Sequence, residues 1–120
     1  MNISRQTLAN WMIRISDRYL QLVYRRMHQQ MLESRLIHCD ETPFKLIAPD
    51  RATNSKAYMW VYHTTEAYGS HPLFLYEYQD GRSSDIPREF LKNYKGVLVT
   101  DGYQVYHKLA GERPEELRVA

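Results

Sequence analysis

The first 42 residues contain neither Gly nor Pro, and their apolar positions recur at the period of a helix face: Leu8, Trp11, Met12, Ile15, Tyr19, Leu22, Val23, Met27 and Met31. Ser4 suits an N-cap, so the pattern predicts one long helix from about Arg5 to Leu32, with room for a break near its first turns. Its Met and aromatic positions read most simply as core.

The period then changes to two. Leu36 to Thr42 and Phe44 to Ile47 read as a strand in which Pro43 is tolerated only at an edge or bulge. Ala48 to Lys56 is a polar connection. Tyr58 to His63 and Leu73 to Tyr78 are aromatic and β-branched enough to form a second and a third strand. A short helix is expected from Asp85, with Pro87 in its first turn, Ile86, Phe90, Leu91 and Tyr94 facing inward and Gly96 beyond its end. Val97 to Thr100 is apolar almost throughout, as in a parallel strand covered on both faces and paired on both edges. Tyr103 to Leu109 reads as a last helix.

Three meander strands, a crossover helix, a parallel strand and a helix, preceded by a long N-terminal helix, give an α/β chain with the opening of a ribonuclease-H-like fold. That fold needs a fifth strand. Glu112 to Ala120, interrupted by Pro114, looks too short to supply it, so an exposed apolar surface and self-association are expected.

Composition narrows the setting. A length of 120 residues with 43% apolar content suits one domain, and no apolar run is long enough to span a membrane. No secretory signal opens the sequence, and one cysteine makes no internal disulfide, which fits a reducing cytoplasm. The net charge of +2 is unevenly spread: residues 1–35 carry six basic and two acidic side chains, the remainder ten basic and twelve acidic. A basic front on a mildly acidic body is compatible with DNA contact, and Arg5, Gln6, Arg14 and Arg18 are the candidates to make it. Solvated helices share that charge pattern, and the first helix of a helix-turn-helix is missing.

Two aspartates carry the candidate chemistry. Asp40 interrupts an apolar strand, and Asp101 ends the fourth strand. In this strand order the first and fourth strands are neighbours, so both carboxylates converge within about 8 Å, suited to Mg²⁺ or Mn²⁺. Alternation puts His38, Asp40 and Thr42 on one face and Cys39 and Glu41 on the other, which makes Glu41 a poor co-ligand. Cys39 reads as a small buried apolar group, and the histidines lack zinc-ligand spacing. Arg82, Arg88, Lys95 and Lys108 read as solvated surface that could also neutralise phosphate.

The segments His38-Cys39-Asp40-Glu41-Thr42-Pro43 and Gly96-Val97-Leu98-Val99-Thr100-Asp101-Gly102-Tyr103 with Tyr106, with Tyr58 to Tyr62 and Arg82, Pro87, Phe90 and Leu91 between them, resemble the central domain of insertion sequence 66 family transposases. The resemblance runs from about Ser4 to Leu109. It implies a DDE-type DNA transposase with a ribonuclease-H-like fold, dependence on Mg²⁺ (or Mn²⁺), insertion-sequence ends as DNA partner, and Asp40 and Asp101 as the first two catalytic, metal-binding acids. Residues 1–33 then correspond to the end of the DNA-binding region and its linker, and 34–120 to the N-terminal part of the catalytic domain. Cys39 stands where the family more usually has a small residue. The family's later Cys-x-x-His-x-Arg-Arg segment and catalytic Glu are not in this sequence. The expectation is therefore a truncated domain, inactive alone, and whether this chain is itself an enzyme stays open. The alternative is a non-catalytic DNA-binding or regulatory protein that uses the basic helix and has no need of the Asp40/Asp101 pair.

Overall fold

In the computed structural model, residues 2–45, 56–66, 71–102 and 104–120 are described. The expected strand positions Leu46 and Ile47, the connection 48–55 and the helix start at Tyr103 lie outside them. The order is α1 (Arg5–Ile15), a π-helical turn (Ser16–Leu20), α2 (Gln21–Leu32), β1 (Leu36–Lys45), β2 (Lys56–His63), β3 (Phe74–Gln79), α3 (Asp85–Phe90), β4 (Gly96–Val99), α4 (Gln104–Glu112) and β5 (Leu117–Val119). No described helix is long and apolar enough to cross a membrane.

Ser4 caps α1 as its sequence position suggests: its Oγ accepts the Thr7 N–H at 3.1 Å, satisfying one of the orphan donors of the first turn. The irregularity falls mid-way, at the π turn, and not in the first turns. The larger correction concerns burial. Trp11 is 48% exposed, Met12 63% and Tyr19 63%, and Leu8, Ile15, Leu22 and Val23 are exposed as well. Periodicity marks a face without saying whether anything lies against it, and here the sheet reaches only the end of α2. There Met31 is fully buried, Tyr24 and Met27 pack on the core, and His28 Nε2 lies 2.7 Å from the Phe90 carbonyl oxygen. The helix consequently projects. The radius of gyration is 17.0 Å, against about 14 Å for a compact domain of this length.

The five strands form one mixed sheet in the order β3-β2-β1-β4-β5. β1 pairs antiparallel with β2 and parallel with β4, and β2 pairs antiparallel with β3. Pro43 lies within β1, opposite Tyr58; β4 borders only Leu36 to His38, so β1 is locally an edge where the proline lacks its donor. The fifth strand judged too short to exist is present. Residues 113–116 turn tightly after α4, and Leu117 to Val119 pair in parallel with Gly96 to Leu98. Pro114 sits in that turn and not in the strand, so it costs no ladder bond.

One face of the sheet carries the core: Ile37, Cys39, Trp60, Tyr62, Leu75, Leu98 and Leu117, covered by Met31, Phe90, Leu91, Tyr94, Tyr106 and Leu109 from the helices and the turn after α3. The Tyr62 and Phe90 rings stack with centroids 3.6 Å apart. The other face is left largely uncovered by the described residues. His38, His63 and Phe74 stack across three strands on it, and Phe74, Tyr76 and Tyr78 are exposed. β4 therefore has a partner on each edge but cover on one face, since Leu98 is buried while Val97 and Val99 are only half-buried.

α3 ends at Phe90, short of Gly96; the left-handed residue that reverses the chain is Asn93, at φ 67°. Gly96 serves a different need: a Cβ there would sit 2.6 Å from the Arg35 carbonyl oxygen, too close for any side chain. Cys39 is 3% exposed, and burial, followed by the nearby Glu41 charge, pushes its thiol well above the usual range. Maleimide labelling of the native protein is expected to run about 100-fold slower than after unfolding. Equal rates in the two states would show that the core face of β1 is open to solvent.

Candidate metal centre

β1 and β4 run in parallel with His38 beside Val99, so two residues further on Asp40 stands beside Asp101, just past the carboxyl end of β4. Ligands of open α/β sheets bind at such strand ends. The Glu41 N–H donates to Asp40 Oδ1 at 2.8 Å and fixes that carboxylate. Asp101 is followed by Gly102 at φ 96°, a left-handed position that favours glycine and turns the chain toward α4. Both aspartates are exposed. Asp40 is exposed despite its apolar neighbours in sequence, because its side chain lies on the face opposite the core.

Oxygen atoms of Asp40, Glu41 and Asp101 all lie within 4.8 Å of one another. Glu41, set apart from the pair by alternation alone, therefore lies beside it. Alternation does place Glu41 on the core face, where it is buried, but β4 ends before this level and the longer glutamate side chain reaches the gap. Its carboxylate is also engaged from below. Arg82 forms an ion pair with Oε1, its Nε donating at 3.2 Å, and the Tyr106 hydroxyl donates to Oε2 at 3.3 Å. Burial, then the charges of Cys39 and Glu41, push the Tyr106 hydroxyl far above the usual phenol range. Trp60 lies opposite Glu41 in the β1–β2 ladder, its ring 6.3 Å edge-on from that of Tyr106. Arg82 also lies over the Tyr58 ring, 5.7 Å from its centroid. Arg82, read from the sequence as solvated surface that could also neutralise phosphate, thus has a partner 41 positions away, and no local spacing signals the pair.

The other predicted residues are distributed differently. His38 stacks on His63 at 4.5 Å beside Asp40 on the open face. Burial lowers the His63 pKa, the His38 charge lowers it further, and Asp40 opposes both. Arg88 pairs with Asp85 and with Glu112, joining α3 to α4. Lys95 and Lys108 are exposed. Arg5, Gln6, Arg14 and Arg18 are exposed on α1 and the π turn. Among the described residues, Asp40, Glu41 and Asp101 are the acids grouped closely enough to surround a divalent ion. The two exposed aspartates offer oxygen donors suited to a hard cation such as Mg²⁺ or Mn²⁺, while both Glu41 oxygens are bonded within the protein.

Comparison with known proteins agrees with this arrangement of motifs. A protein of Sinorhizobium fredii (strain NBRC 101917 / NGR234), known as uncharacterized protein y4qI, is 31% identical over 116 residues, covering 94% of this chain and 21% of that protein. The chain thus spans about a fifth of the length of the curated relative it matches. No solved structure matches. The profile described as transposase IS66 family matches residues 1–118, nearly the whole chain, and the protein belongs to that family.

Proposed function

We propose that this chain contributes the first two acids of a DDE-type transposase centre on a ribonuclease-H-like sheet, with Asp40 and Asp101 as ligands of Mg²⁺ or Mn²⁺. Residues 34–120 form the N-terminal part of the catalytic domain in this reading. Residues 1–33 form a helical segment whose Arg5, Gln6, Arg14 and Arg18 face DNA at the insertion-sequence ends. The observation that carries the reading is the convergence of Asp40, midway along β1, with Asp101, just past the end of the adjacent parallel strand β4, with oxygens within 4.8 Å. The strand order and the parallel β1–β4 pair support the fold assignment. A divalent cation held by Asp40 and Asp101 would supply activation of the attacking oxygen and stabilisation of the leaving oxygen in phosphodiester displacement. Asp40, held by the Glu41 amide, and Asp101, held at its turn, orient their oxygens toward the open end of the sheet. In this reading the two aspartates are an incomplete set of acids, and the chain alone is expected to cleave no DNA above background.

Mn²⁺ titration followed by electron paramagnetic resonance of the free ion tests the site without requiring turnover. Asp40→Asn and Asp101→Asn are each expected to weaken binding at least about tenfold, because a carboxylate ligand is replaced by a neutral amide. Unchanged Mn²⁺ affinity in both variants would remove the metal site.

A further inference from the structure

Glu41 and Arg82 carry an inference that rests on the metal-site reading and extends it to the substrate. We propose that Glu41 is not a metal ligand but a positioning residue, and that the guanidinium it holds, Arg82, contacts a phosphate of the DNA strand at the Asp40/Asp101 site.

Three observations lead there. First, both Glu41 oxygens are already used: Oε1 accepts from Arg82 and Oε2 from Tyr106. Second, the Glu41 side chain is 1% exposed whereas that of Arg82 is 42% exposed. Mg²⁺ and Mn²⁺ sites of this kind keep several waters, which the exposed aspartates accommodate and a carboxylate enclosed by Trp60, Tyr106 and Arg82 does not. Third, Glu41 lies within 4.8 Å of both aspartates, so Arg82, bonded to it, stands at the same end of the sheet. A guanidinium is suited to phosphate recognition because its fork of donors matches phosphate geometry. Pairing with Glu41 and seating over the Tyr58 ring restrict its motion before DNA arrives. The charges agree: three carboxylates and one guanidinium leave −2, matching one divalent cation.

The test uses a charge-neutral exchange. In Glu41→Gln/Arg82→Gln the ion pair becomes an amide pair with the net charge unchanged, and Mn²⁺ affinity is expected to stay within about threefold of the parent. Affinity for a short fluorescein-labelled DNA duplex, measured with and without Mn²⁺, should lose its Mn²⁺-dependent part by about tenfold. Arg82→Gln alone, at a partly exposed position, should show the same DNA defect without loss of Mn²⁺ affinity, and Arg82→Lys should restore it only in part. This single variant keeps the test valid if the double variant does not fold. A drop in Mn²⁺ affinity of tenfold or more in the folded double variant would make Glu41 a ligand and overturn the proposal. Unaltered Mn²⁺-dependent DNA binding in Arg82→Gln would overturn it equally. Failure of the underlying metal site is read separately, as Mn²⁺ binding indifferent to Asp40→Asn.

Discussion

Trp60→Ala is expected to destabilise the protein by about 3–5 kcal/mol, the range for removing a fully buried tryptophan. Trp60 is completely buried in β2, between β1 and β3. It packs edge-on against Tyr106 and stands opposite Glu41. Its loss leaves a cavity bounded by a rigid sheet on one side and α4 on the other, neither able to collapse far. Because domains of this size hold only about 5–15 kcal/mol in total, the variant should be largely unfolded at physiological temperature. Urea denaturation followed by circular dichroism measures the loss. A shift below about 1 kcal/mol would mean that the tryptophan is not a core residue.

Arg113→Ala should cost about 2–3 kcal/mol, more than its half-buried position suggests. Its Nη1 donates to the Leu91 carbonyl at 3.0 Å and its Nη2 to the Tyr94 carbonyl at 2.6 Å, both in the turn after α3. Nε donates to Glu116 at 2.8 Å in the turn that launches β5. One guanidinium therefore ties the α3–β4 connection to the start of the last strand. Truncation removes the side-chain donor of the Tyr94 carbonyl and leaves the Leu91 carbonyl with the Tyr94 N–H alone, both beside buried side chains. Arg113→Lys, a point cation without the fork, should recover less than half of the loss. Thermal unfolding of the three proteins side by side checks both figures, and a silent Arg113→Ala would show the fork to be decorative.

Legibility in the sequence divided along physical lines. The strands of the meander, the apolar β4 and the placement of Asp40 beside Asp101 follow from alternation and strand order, properties local enough to read without coordinates. β5 escaped because three residues are too few for alternation to register, and the turn that makes it possible depends on Arg113 reaching carbonyls elsewhere. The exposed stripe of α1 was misread because helical spacing is the same whether or not a partner lies against it. Glu41 was assigned the right face and the wrong neighbours: alternation gives the direction of a side chain, but where β4 stops decides what its carboxylate can reach.

The pairing of Asp40 with Asp101 also bears on how the protein folds. The two residues lie 61 positions apart, and their meeting depends on the parallel β1–β4 contact that closes the crossover. Closing a loop of that length costs about 3–4 kcal/mol of chain entropy before any contact repays it. A chain with its meander and helices formed but its crossover open therefore has no paired site at all. An ion held by the two aspartates would bind the complete fold alone and stabilise it by mass action, making the cation a selector of the folded chain as well as a participant in chemistry.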